Sequence, residues 1–328
     1  MNARQHNLDA ERLLQHYRTM WRIRAFEEAA ERAQREGHVG GAVHQSIGQE
    51  AVAVGVCANL RPTDQITTNH RGHGHSIAKG TDAAAMMLEL CGKAGGTCGG
   101  KGGSMHIADF SVGMLGANGV VGAGIPIAVG AAHGAKLKGE DRVVACFFGD
   151  GAVNRGPFLE GLNWAKIFAL PVLLVCEDNG YASTTRGRAV TAGAGAAARA
   201  RSFDIAAHPV DGNDVVAVDG LVRDCIERIR AGAGPILVHA RTYRLKGHTT
   251  ADAGAYRPKE EVEAAWQADP IVRAGEQLLG LGVAEAELER ARRAAETEME
   301  TAMRAAVAAP YPALAEAFTD IQDIGAPA

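Results

Sequence analysis

The sequence predicts an α/β fold in which a mostly parallel sheet is flanked by helices. Two apolar runs, residues 142–148 (RVVACFF) and 171–176 (PVLLVC), have the length and composition of buried strands. Residues 156–168 between them read as a helix, so the three pieces form one βαβ unit with a right-handed crossover and parallel strands. A third apolar run, 234–243 (GPILVHARTY), reads as a further buried strand behind a helix at 214–231.

The two strands of the βαβ unit end in polar tips. One is Gly149-Asp150-Gly151-Ala152 and the other is Glu177-Asp178-Asn179-Gly180-Tyr181. Both tips fall on one edge of the sheet, beyond the carboxyl ends of the strands, where open α/β sheets bind their ligands. A carboxylate (Asp150), an amide oxygen (Asn179) and a nearby backbone carbonyl form a hard-oxygen set there. Such a set suits Mg²⁺, which takes few protein ligands and shares the rest with phosphate and water. A lone Gly-Asp-Gly is a common structural turn. The strand before it, the helix after it and the second strand ending in Asp178-Asn179 favour a cofactor site.

The other elements are read in chain order. Residues 9–36 form a long amphipathic helix with Asp9 as N-cap and Gly37 as the stop. Residues 45–60 read as a second helix, and 64–69 as a short extended piece leading to His70-Arg71-Gly72-His73-Gly74-His75. Residues 82–92 are helical, and a glycine-rich stretch leads to a helix opened by Pro126. Residues 187–201 are rich in Ala, Gly and Arg and read as a mobile loop or a weak helix. Residues 245–258 form a polar loop too long to be a mere connection. From Lys259 on the chain reads as helical, with a proline-containing tail. The whole is read as one domain over residues 1–328, with an N-terminal helical segment and a C-terminal helical tail.

Composition narrows the function classes. The 328 residues suffice for one large α/β domain with a sizeable core, and 47% are hydrophobic. No apolar run reaches membrane-spanning length and the start lacks a signal-peptide core, so a cytoplasmic protein without membrane association is expected. A net charge of −4 points to neither nucleic acid nor anionic lipid. Six cysteines without a CxxC pair read as free, mostly buried thiols.

Three further patterns carry chemistry. Residues 95–102 (GGTCGGKG) contain G-x-x-x-x-G-K but lack both the Ser or Thr that should follow the lysine and a preceding strand, which argues against a nucleotide P-loop. His70, His73 and His75 surround Arg71. The cluster reads as an anion site, such as one for a diphosphate, with a hydrogen-bonded structural cluster or a transition-metal site as alternatives. His248 lies on the long loop with Arg241, Arg244, Lys246, Asp252 and Arg257, and the segment reads as an active-site cover. His106 and His44 are further candidates.

Taken together, the segments GQEAVAVGV, NHRGHGHSIAKG, GKGGSMHIAD, GANGVVGAG, FFGDGAVNRG, EDNGYAST and RTYRLKGHTTAD resemble the alpha subunits of thiamine-diphosphate-dependent dehydrogenases of the 2-oxo acid dehydrogenase family. The likeness runs from about the first helix to Pro258. It implies the thiamine-diphosphate-binding fold, with thiamine diphosphate and Mg²⁺ as cofactors. Asp150 and Asn179 would hold the metal through their side chains and Tyr181 through its backbone carbonyl. Gly149, Gly151 and Ala152 would bring backbone to the diphosphate, with His70, Arg71 and His248 as contacts. Gly119 and Val121 would meet the aminopyrimidine, Val121 as an apolar wedge. His248, His106 and His73 are the catalytic candidates.

The family activates its cofactor with a glutamate on a separate beta chain. The resemblance therefore implies a beta subunit, an α₂β₂ heterotetramer and a lipoyl acyltransferase as acceptor of the product. Within the family, the histidine motif, SMHIADFSVGMLGANG and GVVGAG most resemble acetoin dehydrogenase alpha subunits; pyruvate-type chains usually carry Tyr at the position of His70. The implied reaction is cleavage of acetoin with transfer of a two-carbon acyl unit. The alternatives are pyruvate or another short 2-oxo acid as substrate, a thiamine-dependent two-carbon acyltransferase of a biosynthetic pathway, and a non-catalytic partner that kept only the fold. Thr249 and Thr250 depart from the serine-bearing loop of phosphorylation-regulated relatives, and Glu177-Asp178 from the commoner Glu-Asn.

Overall fold

The computed structural model of the chain describes residues 9–319; the extreme start and the end of the proline-containing tail lie outside them. In chain order the elements are α1 (Ala10–Arg35), α2 (Glu50–Cys57), β1 (Gln65–Thr67), α3 (His73–Lys79), α4 (Ala83–Leu90), α5 (Gly124–Leu137), β2 (Val144–Gly149), α6 (Gly156–Ile167) and β3 (Val172–Asp178). They continue with the short hairpin β4 (Tyr181–Ala182) and β5 (Thr185–Arg186), then α7 (Gly187–Val190), α8 (Gly195–Arg201), β6 (Ala206–Asp211), α9 (Val215–Arg228), β7 (Ile236–Arg241), α10 (Lys259–Gln267), α11 (Pro270–Gly280) and α12 (Glu285–Ala308).

The main sheet runs β1-β2-β3-β7-β6, and every pairing in it is parallel. Helices cover both faces, as a parallel sheet requires. The period of two along β2 decides which side chain goes where. Val144, Cys146 and Phe148 pack with Val129 of α5 and with Phe158 and Leu162 of α6. Ala145 and Phe147 face the other way, towards Val52 and Val56 of α2 and Val218 and Val222 of α9. A separate apolar layer joins α1, α4, α11 and α12 through Leu13, Met20, Phe26, Met86, Leu278 and Met299.

Caps mark several boundaries where the sequence places them. Asp9, Asp82 and Asp214 each accept backbone N–H bonds at the start of α1, α4 and α9. Other boundaries differ. The helix expected over 45–60 begins only at Glu50, because Gly48 adopts φ +97° and a Cβ there would stand 2.4 Å from the Tyr243 carbonyl oxygen. That close approach needs glycine and interrupts any helix. The helix attributed to Pro126 starts two residues earlier, at Gly124. Residues 187–201 hold two short helices, α7 and α8. The strand β6 was not predicted: it lies at the sheet edge, is only partly buried and contains Pro209, so it has no apolar run to announce it. All six cysteines are free, five of them buried and Cys98 partly exposed. Among the described residues, no helix is long and apolar enough to cross a membrane.

Candidate active site

Parallel pairing of β2 with β3 puts Gly149 opposite Glu177, so the two polar tips are neighbours. Beyond them opens a cavity of about 510 Å³ lined by both tips, by residues 118–122, and by His44, His70, Arg71, Met105, Arg244 and His248. Asp150 stands at the end of β2 with its Oδ2 buried and without a hydrogen-bond partner. Burial, reinforced by the nearby Asp178, pushes its pKa up to about 6. A Cβ on Gly187 would come within 2.6 Å of that oxygen, so glycine keeps its surroundings open. Asn179 donates through Nδ2 to Gln49 Oε1 at 3.1 Å, which turns Oδ1 towards the acceptor role; it takes the Tyr181 N–H at 3.1 Å. Tyr181 is pinned by its hydroxyl, which donates to Glu261 at 2.6 Å. An unpaired buried carboxylate oxygen beside an amide oxygen is the donor set of a hard cation such as Mg²⁺.

The opposite wall is built of histidine and arginine. The His44 and His70 rings meet edge to face with centroids 4.8 Å apart, and His248 lies 5.0 Å from His44. One ring nitrogen from each falls within 4.8 Å of the others. His44 Nδ1 and His70 Nε2 are buried without partners. Burial and then the Arg71 charge lower the pKa of His44 to about 4, of His70 to about 2 and of His248 to about 4. All three are therefore neutral at pH 7. Arg71 is buried, and burial followed by Arg244 lowers its pKa to about 9, so it stays charged. It donates to Gln45 O at 2.7 Å, to His248 O at 2.9 Å and to His248 Nδ1 at 2.8 Å. That last bond occupies the Nδ1 lone pair and puts the His248 proton on Nε2. Two guanidiniums beside three neutral imidazoles suit an anion far better than a metal cation.

The histidines of the His70–His75 motif do not form one cluster. His73 opens α3 and is fully buried, bonded to Glu27 at 2.8 Å and to Ser104 at 3.0 Å; it does not line the cavity. His75 turns towards the sheet, stacks on Phe147 and bridges Thr68 at 2.7 Å and Glu177 at 3.2 Å. Successive helical positions two apart face different sides, which a loop reading of the motif cannot anticipate. The glycine-rich stretch does bind an anion, but an internal one: the buried Glu89 carboxylate accepts the N–H groups of Cys98, Gly100, Gly102 and Gly103 at 2.7–3.0 Å.

Residues 17–315 match the family model described as the dehydrogenase E1 component. The chain belongs to the dehydrogenase E1 component family. This E1 chain is 48% identical over 266 residues, 81% of its length and 80% of the relative's, to the alpha subunit of acetoin:2,6-dichlorophenolindophenol oxidoreductase of Bacillus subtilis. It is 44% identical over 316 residues to the protein of the same description from Cupriavidus necator, covering 96% and 95% of the two chains. Identity to the pyruvate dehydrogenase E1 component alpha subunit of Zymomonas mobilis is 39% over 318 residues, covering 96% and 90%. Membership of the family carries dependence on thiamine diphosphate.

The remaining expected residues of the E1 chain fall as follows. Gly119, Val121, Gly149, Gly151 and Ala152 line the cavity. His106 is exposed and outside that lining; its Nδ1 meets Gly102 O at 3.1 Å, and its Nε2 would lie 3.5 Å from a Cβ on Gly119. Residues 245–258 hold no helix or strand; they lend His248 to the cavity lining and are tied to the 43–47 segment, where Leu245 N donates to Ile47 O and Thr250 N to Val43 O. Sequence reading passed over Gln49, Arg155, Glu177 and Arg244 as lining residues. Glu177 was legible from its place beside Asn179. Gln49 was not, since its bond to Asn179 joins segments 130 residues apart, and Arg244 was read only as one of the basic residues beside His248.

Proposed function

We propose that the chain is the alpha subunit of a thiamine-diphosphate-dependent dehydrogenase that cleaves acetoin and passes the two-carbon acyl unit to a lipoyl acyltransferase. The observation that carries the reading is the unpaired carboxylate oxygen of Asp150 at the tip of β2, a residue that lines one cavity together with an arginine–histidine wall. Asp150, the Asn179 side chain and the Tyr181 carbonyl would hold Mg²⁺. Gly149, Gly151 and Ala152, with His70, Arg71 and His248, would hold the diphosphate, and Gly119 with Val121 the aminopyrimidine. The bound cofactor supplies an electron sink for breaking a carbon–carbon bond beside a carbonyl.

The chain's own residues bind, orient and exclude water. Arg71 keeps its charge and offers it to the diphosphate. His248, neutral at pH 7, donates a hydrogen bond from Nε2 and adds no cation. His106, with Nδ1 turned to Gly102 O, has Nε2 left for a proton near Gly119. His73 is proposed to act through its neighbours, since it is walled off from the cavity. Val120 and Val121 are 65% and 48% exposed at the cavity rim, apolar surface of the kind a second chain covers. A beta subunit in an α₂β₂ assembly fits there.

Acetoin as substrate is supported by the two acetoin oxidoreductase relatives, and by His70 where pyruvate-type chains usually have Tyr. Pyruvate is the second reading, supported by the Zymomonas relative. Dye reduction by the chain reconstituted with its beta partner decides between them. The expected order is acetoin above pyruvate, with no turnover by the chain alone. Faster turnover of pyruvate would replace the substrate, and full activity of the chain alone would remove the two-chain reading.

A further inference from the structure

Glu27 lies in the middle of α1, fully buried, and its two carboxylate oxygens reach two different segments. Oε1 accepts Ser46 N at 2.9 Å and Ser46 Oγ at 2.8 Å. Oε2 stands 2.8 Å from His73 Nδ1, and His73 Nε2 stands 3.0 Å from Ser104 Oγ. Burial opposes ionisation of Glu27, but His73 and the Ser46 donors outweigh it and hold its pKa below the ordinary value. An ionised carboxylate only accepts, so His73 Nδ1 carries the proton of that bond, and Nε2 is left to the Ser104 hydroxyl.

Carboxylate, imidazole and serine hydroxyl in this order are the parts of a nucleophilic triad. Ser104 is only 6% exposed and does not line the cavity, so no substrate reaches its Oγ. The relay touches segments, and each segment carries a lining residue within two positions. His44 precedes Ser46, Arg71 precedes His73, and Met105 follows Ser104. Arg71 is tied in a second time, since it donates to Gln45 O while Gln45 Nε2 donates to Glu27 O.

We propose that the Glu27–His73–Ser104 line is a positioning relay that sets three walls of the cavity, those bearing His44, Arg71 and Met105, from one buried carboxylate. Segment 102–106 is also held by its N–H bonds to Glu89 at residues 102 and 103 and by the Cys98 thiol at His106 O, while Ser104 Oγ is its tie to α3. Losing the Ser104 end frees that segment alone. Losing the Glu27 end frees both 45–46 and 102–106, because His73 no longer has a fixed proton.

The catalytic consequence rests on the proposed activity, while the structural one does not, and the test separates them. Wild type, Ser104→Ala, Glu27→Gln and the double variant are prepared with the beta partner. Amide hydrogen exchange is read at 45–46 and 102–106, alongside kcat and KM for acetoin and calorimetric binding of Mg²⁺-thiamine diphosphate. Ser104→Ala should speed exchange at 102–106 only and lower kcat about tenfold, as a small misplacement does, with KM and cofactor affinity nearly unchanged. Glu27→Gln should speed exchange in both segments. The double variant should be no slower than Glu27→Gln alone, since both act through His73. Multiplying effects, or wild-type exchange at 102–106 in Ser104→Ala, overturn the relay even if Glu27→Gln does not fold. A wild-type complex inactive on acetoin and pyruvate would count against the activity and leave the exchange test of the relay intact.

Discussion

The floor and the cover of the cavity are held by different physics. The floor is the tips of β2 and β3, interior strands with hydrogen bonds on both sides and fully buried side chains such as Val144, Cys146 and Leu174 behind them. Its position follows from the burial of many apolar groups, each of small effect and none decisive. The cover, residues 245–258, has Leu245 as its buried apolar anchor, and for the rest it depends on particular polar pairs. Asp252 accepts the His248 and Gly254 N–H groups at 2.6 and 2.8 Å and the Tyr256 hydroxyl at 2.9 Å. Arg244 donates to Tyr256 at 2.7 Å, and Arg257 to Arg244 O at 2.5 Å. Each such bond contributes on the order of 1 kcal/mol net, and several must open together for the segment to move. A pattern of small contributions holds the floor; residues 245–258 depend on a few specific bonds.

The largest effect on stability should come from the floor. With its folded-state pKa raised to about 6, Asp150 is a carboxyl that folding prefers to keep protonated. Asp150's own contribution to the stability of the cofactor-free chain should therefore be most favourable below about pH 4, where it is protonated in both states. It should fall as pH rises towards about 6, and the penalty of the ionised form should be complete above that. Asp150→Asn removes the penalty, and should stabilise the cofactor-free chain by roughly 1–3 kcal/mol at pH 8 with little change at pH 4. Thermal or denaturant unfolding at both pH values checks this. A variant destabilised at pH 8 would mean that Asp150 is a structural partner and not a strained ligand.

A smaller effect is expected from the cover. His248→Ala keeps the backbone bonds to Asp252 and Arg71 but removes the ring that takes the Arg71 guanidinium. Affinity for Mg²⁺-thiamine diphosphate should fall about tenfold, the scale of one hydrogen bond to a charged group. The cofactor should also protect residues 245–258 from hydrogen exchange less than it does in wild type. Equal protection with and without cofactor in the wild type would make the segment a fixed wall and dissolve the contrast between floor and cover.

The same division explains what the sequence made legible. The parallel sheet, the βαβ unit and the two tips were readable because strand and helix periods are local and repeated. Asp9, Asp82 and Asp214 marked helix starts because a cap is a local bond. The histidines were misread as one cluster because their roles depend on partners far along the chain: Glu27 for His73, Glu177 for His75, and His44 with His248 for His70. The glycine-rich stretch was read only as lacking the parts of a P-loop, and the fold reveals that its N–H groups bind an internal anion, Glu89. Edge strand β6 left no mark, because a half-exposed strand needs no apolar run.

The central claim is that Asp150 and its neighbours at the strand tips form the metal end of a thiamine diphosphate site. Calorimetric titration of the wild-type chain and of Asp150→Asn with thiamine diphosphate, each with Mg²⁺ and with a chelator, tests it most directly. Binding to the wild type should depend on Mg²⁺, and affinity should fall more than about a hundredfold in the variant with its circular dichroism unchanged. Undiminished, Mg²⁺-dependent binding to Asp150→Asn would contradict the claim.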